Sequence, residues 1–407
     1  MDLSLYTNFS SALVNQEAQI NTLQQEISTG VAVQTPDQNP AAYAGASIGQ
    51  DQVSALSSET TNQATIGAQL GTVSNAYSSA STVLNSVQSV VEQALNGTTN
   101  PQDMQALATQ VEAAQQQMLT VANTQGTGGS YVFAGTRASV TPFQTDPSSG
   151  NIIYLGDGGT SQAAITPNEQ APAVTNGEVF ISGLAGDGTA SIAAAGNNTG
   201  SATLLSEGVV NAAQASAFQQ GSGKVTVSFA TGTNGLIYTA TDSSGTVLST
   251  GPVSSAAGGT TSFQAAGSNY EIQGTPAAGD SFTISPARPQ SVFALLQGIA
   301  SAMSSAGTTP AAAAQTRQSL NQGLAGLAQY QSDFMTAEAQ TGVTLQAVQS
   351  AGTSDSEASA TIQESDTTET AVNMPAALTS LDESMSAVEA AMKSFASVQS
   401  LNLFQYL

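Results

Sequence analysis

A chain of 407 residues with no histidine and no cysteine lacks the two side chains most often used for chemistry near neutral pH. Without histidine, Ser-His-Asp and Cys-His catalysis, imidazole metal sites and most proton shuttles are excluded. Without cysteine, disulfide frameworks, thiolate zinc sites and thiol nucleophiles go too. Carboxylates and glycine-rich loops remain. Gly221, Gly223 and Lys224 hint at a phosphate loop, but Phe218 stands where a glycine is needed and Val225 where the magnesium-binding hydroxyl belongs. A turn entering a strand is the favoured reading. Gly156-Asp157-Gly158-Gly159 and Gly186-Asp187-Gly188 look like pieces of calcium-binding turns, yet neither repeats at a fixed interval nor carries the further acids of an EF-hand loop. Ordinary β-turns fit them better. No carboxylate pair stands in a setting distinctive of glycoside hydrolysis. Asp355, Glu357, Glu364, Asp366 and Glu369 cluster in a Ser/Thr-rich stretch, read first as a solvated helix face and second as a docking surface. No catalytic residue, cofactor or metal ligand is assigned, and no enzyme activity is expected.

Charge narrows the partners. Only 8% of residues are charged, against roughly 25% in an average globular protein. Arg137, Lys224, Arg288, Arg317 and Lys393 face 28 acids, for a net charge of -23. Single, scattered cations cannot displace the counterions of a nucleic acid, and the net charge repels anionic lipid, so neither nucleic acid nor membrane is an expected partner. The N-terminus, with Asp2, Thr7, Asn8 and Ser10, lacks the basic and apolar regions of a secretory signal, so a cleaved signal is not expected. No apolar run reaches the length of a membrane-spanning helix, and a soluble chain is expected.

The elements that would position any function are helical at both ends. Phe9, Leu13, Gln16, Ile20, Leu23 and Ile27 step by four and three, as do Leu378, Leu381, Met385, Val388, Met392 and Phe395. Such spacing marks a helix whose narrow apolar stripe seeks a partner helix. A longer rhythm runs from Ile66 to Ala94, stops at Asn96-Gly97, and resumes in a helix over 101–124 that Pro101 opens. Of 38 glycines, 26 lie between Gly126 and Gly279, which sets the middle apart. There, β-branched and aromatic runs recur at 131–133, 152–155, 225–229, 236–240, 246–248, 270–272 and 282–284, with hairpin turns at Asn234-Gly235 and Ser244-Gly245. Helical spacing returns after Pro286 and Pro289.

The expected fold is α+β and multidomain, a long helical bundle or coiled coil formed by both chain ends with an inserted all-β domain. Its parts are a terminal coiled-coil region, 1–44 plus 353–407, a helical bundle, 45–130 plus 288–352, and a β-rich outer domain, 131–287, with a mobile stretch around 185–202. A single short stripe does not offset the ordering cost of about 1 to 2 kcal/mol per residue. Residues 1–30 and 375–400 are therefore expected to be loose in the free monomer and to become helical on association.

Residues 23–42, Leu-Gln-Gln-Glu-Ile-Ser-Thr-Gly-Val-Ala-Val-Gln-Thr-Pro-Asp-Gln-Asn-Pro-Ala-Ala, resemble the N-terminal signature of the flagellin superfamily. Three further segments are similar to its hook-associated, hook-filament junction branch. They are Tyr131-Val132-Phe133-Ala134-Gly135-Thr136 through Pro142-Phe143, Gly279-Asp280-Ser281-Phe282-Thr283-Ile284, and Leu401-Asn402-Leu403-Phe404-Gln405-Tyr406-Leu407. The resemblance implies an extracellular structural subunit of the bacterial flagellum, exported by the flagellar type III apparatus without signal cleavage. It implies a ring of copies between the first hook-associated protein and flagellin, and an export chaperone before secretion. The expected assembly interface is Phe9, Leu13, Ile20, Leu23, Ile27, Leu378, Leu381, Met385, Val388, Met392 and Phe395, with Leu401, Leu403, Phe404, Tyr406 and Leu407. Two features depart from the pattern. Val31 and Ala32 follow Gly30 where relatives commonly carry basic residues, and Pro375 precedes the last stripe, where it is expected to open a helix. The competing readings are a flagellin filament subunit, and a secreted adhesin or polysaccharide-acting β domain on a helical stalk.

Overall fold

The computed structural model describes residues 3–96, 100–172, 174–254 and 260–404. Its helices are α1 (Leu3–Thr29), α2 (Pro40–Leu95), α3 (Pro101–Ala122), α4 (Ala212–Gln220), α5 (Val292–Ser304), α6 (Pro310–Thr370) and α7 (Met374–Phe404). One local device opens α2, α3 and α6: a side-chain acceptor followed by proline. Asn39 accepts from the Ala42 amide ahead of Pro40, Asn100 from Gln102 and Asp103 around Pro101, and Thr309 from Ala312 after Pro310. In each case the acceptor satisfies an orphan amide, and proline sits where no amide is needed. Asn373 caps α7 in the same way through the Ala376 amide, with Pro375 in the first turn, as the sequence leads one to expect. Gly30 ends α1 at φ +75°, a left-handed position that a side chain strains. The Val31 and Ala32 backbones then join the α6–α7 turn, Ala32 donating to the Thr370 carbonyl at 2.7 Å.

The chain divides into two compact units, residues 1–63 with 350–407, and residues 64–349. The terminal unit therefore reaches further along α2 than the expected boundary at 44. A buried hydrogen bond from Gln63 to Asp355 ties its last residues together.

The second unit has two cores. One collects Tyr77, Leu84 and Val91 of α2, Val111 and Met118 of α3, Phe293 and Leu296 of α5, and Tyr330 and Phe334 of α6. Phe133, Phe143 and Phe180, from the segment following α3, insert into it, with Phe133 and Phe180 edge-on at 5.0 Å between ring centroids. This corrects the expected β-run at 131–133. Of those residues only Tyr131 makes an isolated bridge, to Gln125, because Phe133 goes into the helical core rather than onto a sheet face. The same burial leaves no clean seam between helical and β regions at residue 130.

The other core lies among strands. A five-stranded antiparallel sheet runs β5 (Ala190–Ala194), β12 (Ser281–Pro286), β7 (Val225–Gly232), β8 (Gly235–Thr241), β9 (Val247–Pro252). A three-stranded sheet runs β10 (Thr261–Ala265), β11 (Ser268–Gln273), β6 (Thr203–Val209). Their inner faces alternate as half-buried strands must, and Leu204, Val227, Phe229, Tyr270, Phe282 and Ile284 form the core. Two short hairpins precede them, β1 (Phe143–Thr145) with β2 (Ile152–Tyr154), and β3 (Gln162–Thr166) with β4 (Glu169–Pro172). The β7–β8 hairpin turns through Thr233-Asn234, one residue before the expected Asn234-Gly235, because Gly235 already pairs with Gly232 as the first residue of β8. Helical ends with an inserted β region are the architecture expected, with one addition and one correction: the insertion also holds the short helix α4, which Asn211 caps. The stretch 185–202 is not loose: it contains β5, which pairs with β12 over Ala190–Ala194.

Candidate functional site

The acids and glycine loops come first, since they could have done chemistry. Asp157 accepts from the Thr136 amide at 2.7 Å, from the Thr136 hydroxyl at 2.5 Å and from the Gly159 amide at 3.1 Å. These bonds, the Thr136 hydroxyl's foremost, hold its pKa below the usual carboxylate value. Asp187 takes the Thr189 and Ala190 amides and the Ser206 hydroxyl, Asp242 the Ser244 and Thr246 amides, and Asp280 the Thr199, Gly200 and Ala277 amides. Asp242 thus folds its own turn, while Asp157, Asp187 and Asp280 also tie their loops to other segments, with their lone pairs engaged by amides and hydroxyls. Among the described residues, no group of three or more acids, His or Cys is placed to hold a metal ion. The phosphate-loop fragment runs in the wrong order: α4 ends at Gly221, whose carbonyl accepts from Arg288, and β7 begins at Val225. A phosphate loop needs the strand first and the helix after, so that helix amides point at the anion.

Only part of the acidic stretch is the solvated helix face expected of it, and the rest packs within the chain. Asp355 is buried against Gln63, while Asp366 and Glu369 lie over Gly49 and Gly45 of α2. Glu357 and Glu364 face solvent.

The chain ends carry the remaining candidate. α1 and α7 pack antiparallel in the terminal unit, Phe9 stacking on Phe395 with centroids 4.3 Å apart and planes 5° from parallel. On α1, Phe9, Leu13, Gln16, Ile20, Leu23 and Ile27 are all half-buried, and their neighbours, Glu26 apart, are exposed. The stripe on that side is the one the spacing predicts. α7 differs. Leu381, Val388 and Phe395 are half-buried toward α1, but Leu378, Met385 and Met392 stay 52%, 53% and 50% exposed. Their seam places are taken by Ala377, Ser384 and Ala391, each one residue earlier.

The register set by the Phe9–Phe395 layer explains the exchange. It brings Leu13, Ile20 and Ile27 opposite Ala391, Ser384 and Ala377, so a large side chain meets a small one at every second layer. Such alternation lets two helices approach closely, and it turns the large residues of α7 outward. Sequence reading missed the small residues because it weights hydrophobicity; their own seven-residue spacing was the available signal. Leu401, Leu403 and Phe404 belong to the helical span of α7, but their side chains, and Tyr406 and Leu407 altogether, lie outside the described residues.

A half-covered stripe realises only part of the roughly 1.5 to 3 kcal/mol that full burial of each large apolar side chain provides. The terminal stripes are thus partners for each other within one chain, and still partly open to water. Among the described residues, no helix is long and apolar enough to cross a membrane.

Comparison with known proteins agrees with this layout. The family model of the bacterial flagellin N-terminal helical region matches residues 2–138. Flagellar hook-associated protein 3 of Escherichia coli K12 is 28% identical over 143 residues, 35% of this chain and 45% of that protein. Its Salmonella typhimurium counterpart is 28% identical over 140 residues, 34% of this chain and 44% of that one. These matches span under half the length of the curated relatives. The crystal structure of FlgL from Xanthomonas campestris superimposes with a TM-score of 0.66 at 26% identity, covering 77% of this chain and 96% of that one. The flagellar junction protein FlgL from Legionella pneumophila has the same fold, with a TM-score of 0.70 at 24% identity, covering 80% of this chain and all of that one. Over residues 2–138 the chain is thus similar to the bacterial flagellin N-terminal helical region, and in sequence and fold it is similar to hook-associated protein 3.

Proposed function

We propose that this chain is a structural junction subunit of the bacterial flagellum, seated between hook and filament, and that its paired chain ends are the surface through which it assembles. The observation that carries the proposal is the open stripe Leu378, Met385 and Met392, one residue per heptad, beside a seam that α1 covers only halfway. In a ring of copies, the stripe of one chain meets the terminal helices of the next. Two of its three residues are methionines, whose unbranched side chains adapt to unlike neighbours. That suits a subunit with the first hook-associated protein on one side and flagellin on the other. The remaining expected interface residues, Phe9, Leu13, Ile20, Leu23, Ile27, Leu381, Val388 and Phe395, hold the helical pair that presents the stripe. Export through the flagellar type III apparatus, with a chaperone on the inner side, delivers the chain to this extracellular position.

The test is genetic and microscopic. Cells whose chain lacks residues 376–407 are expected to release flagellin into the medium; normal filaments on such cells overturn the reading. A label on the full-length chain is expected at the filament base by electron microscopy, and a label along the whole filament assigns it to the filament body.

A further inference from the structure

In the terminal unit, α2 and α6 face each other along rows that are unusually polar. On α2 the facing positions are Gly45, Gly49, Val53, Leu56, Thr60 and Gln63, and on α6 they are Gly352, Asp355, Ser359, Ile362, Asp366 and Glu369. Gln63 and Asp355 are 2% and 9% exposed, and the Gln63 amide donates to the Asp355 carboxylate at 2.6 Å. Two heptads away, the Asp366 carboxylate lies over Gly49 so closely that a Cβ on Gly49 would come within 2.7 Å of its carboxyl carbon. A Cβ on Gly45 would stand 3.1 Å from Glu369, and one on Gly352 would stand 3.2 Å from the Gln63 side-chain oxygen. Each contact fits a single antiparallel register, in which Gly49 meets Asp366 and Gln63 meets Gly352.

A heptad-spaced seam leaves slips of seven residues open, since they return facing rows to facing rows. Here both slips are penalised. One brings the Asp366 carboxylate onto Leu56; the other brings the Asp355 carboxylate onto Val53 and takes it away from Gln63. A buried carboxylate without a polar partner is costly in either place. We propose that the Gln63–Asp355 hydrogen bond and the Asp366–Gly49 contact form a register lock, which holds α2 and α6 of the terminal unit in one alignment at the expense of apolar packing. The lock does not depend on the flagellar reading.

The chain has no cysteine, so paired cysteines report the register directly. Val53→Cys with Ile362→Cys reports the native alignment, and Val53→Cys with Glu369→Cys a one-heptad slip. In the otherwise natural chain, only the first pair is expected to cross-link under mild oxidation. In a background carrying Gln63→Leu, Asp355→Leu and Asp366→Ala, the second pair is expected to cross-link as well, with helix content by circular dichroism retained. Native cross-linking alone in that background, or both cross-links in the natural chain, overturns the lock. Should the relaxed background lose its helix signal, Gly49→Ala alone decides the matter. Its added methyl is expected to lower the thermal midpoint, and Asp366→Ala in the same chain to restore it; a neutral Gly49→Ala overturns the proposal.

Discussion

The two units of this chain are built from different residues and finish in different states. In residues 64–349, aromatic rings from four separate segments interlock: Tyr77, Phe133, Phe143, Phe180, Phe293 and Phe334 are each at most 3% exposed. In the terminal unit, the aromatic stack between Phe9 and Phe395 is half-open, and every second layer beyond it pairs a large residue with Ala or Ser. A core of interlocking rings is complete within one molecule. A seam of half-covered side chains leaves apolar surface in water, and the difference teaches where burial within this one chain is complete and where it is partial.

The sharpest break of that comparison is Phe180→Ala, expected to cost about 3 to 5 kcal/mol by urea denaturation of the full chain, because the cavity cannot collapse among fixed rings. Phe395→Ala, in the half-open stack, should cost clearly less, about 1 to 2 kcal/mol, as a partly covered ring loses less transfer energy and leaves no enclosed cavity. Equal costs would mean that the two units are equally packed. Asn100→Ala removes the side-chain acceptor for the Gln102 and Asp103 amides and half of a reciprocal cap, for about 1 kcal/mol read from the thermal midpoint.

Acid should distinguish the units further. Hydrogen bonds, chiefly from Thr136 to Asp157 and from Ser244 to Asp242, hold both carboxyls below their ordinary pKa. Their contribution is complete above the unfolded value near 3.9 and lost as pH falls through the folded value, so the loops of residues 64–349 should loosen below about pH 4. Asp333, raised by burial, runs the other way and is relieved by the same protonation. Amide exchange at Thr136 and Thr246 that is unchanged between pH 5 and pH 2.5, after correction for intrinsic rate, would contradict this. Smallest for the monomer is Met385→Ser with Met392→Ser, expected within about 0.5 kcal/mol of the natural chain because both side chains are exposed. Assembly, measured by incorporation at the filament base, is expected to fall severalfold in the same variant. Unaltered incorporation would remove the open stripe from the interface.

How much was legible before the structure follows from the range of each signal. The α1 stripe, the Gly30 terminus and the proline-opened helices are local, set by a few neighbouring residues and their backbone preferences, and they stand where the spacing puts them. Phe133 misled because a short aromatic run looks alike whether it enters a sheet or a helical core. The helix α4 went unnoticed as it is short, weakly patterned and surrounded by strands.

By itself, then, the sequence determined that histidine and cysteine chemistry is missing, the helical character of the two ends and the residues where most of the long helices start and stop. These follow from side-chain inventory and local backbone energetics. Tertiary structure alone decided which face of α7 turns to α1, since that choice depends on matching Leu13, Ile20 and Ile27 against Ala391, Ser384 and Ala377 across the pair. It also decided that Asp355 and Asp366 turn inward, because a carboxylate becomes a packing residue only where a distant glutamine or glycine receives it.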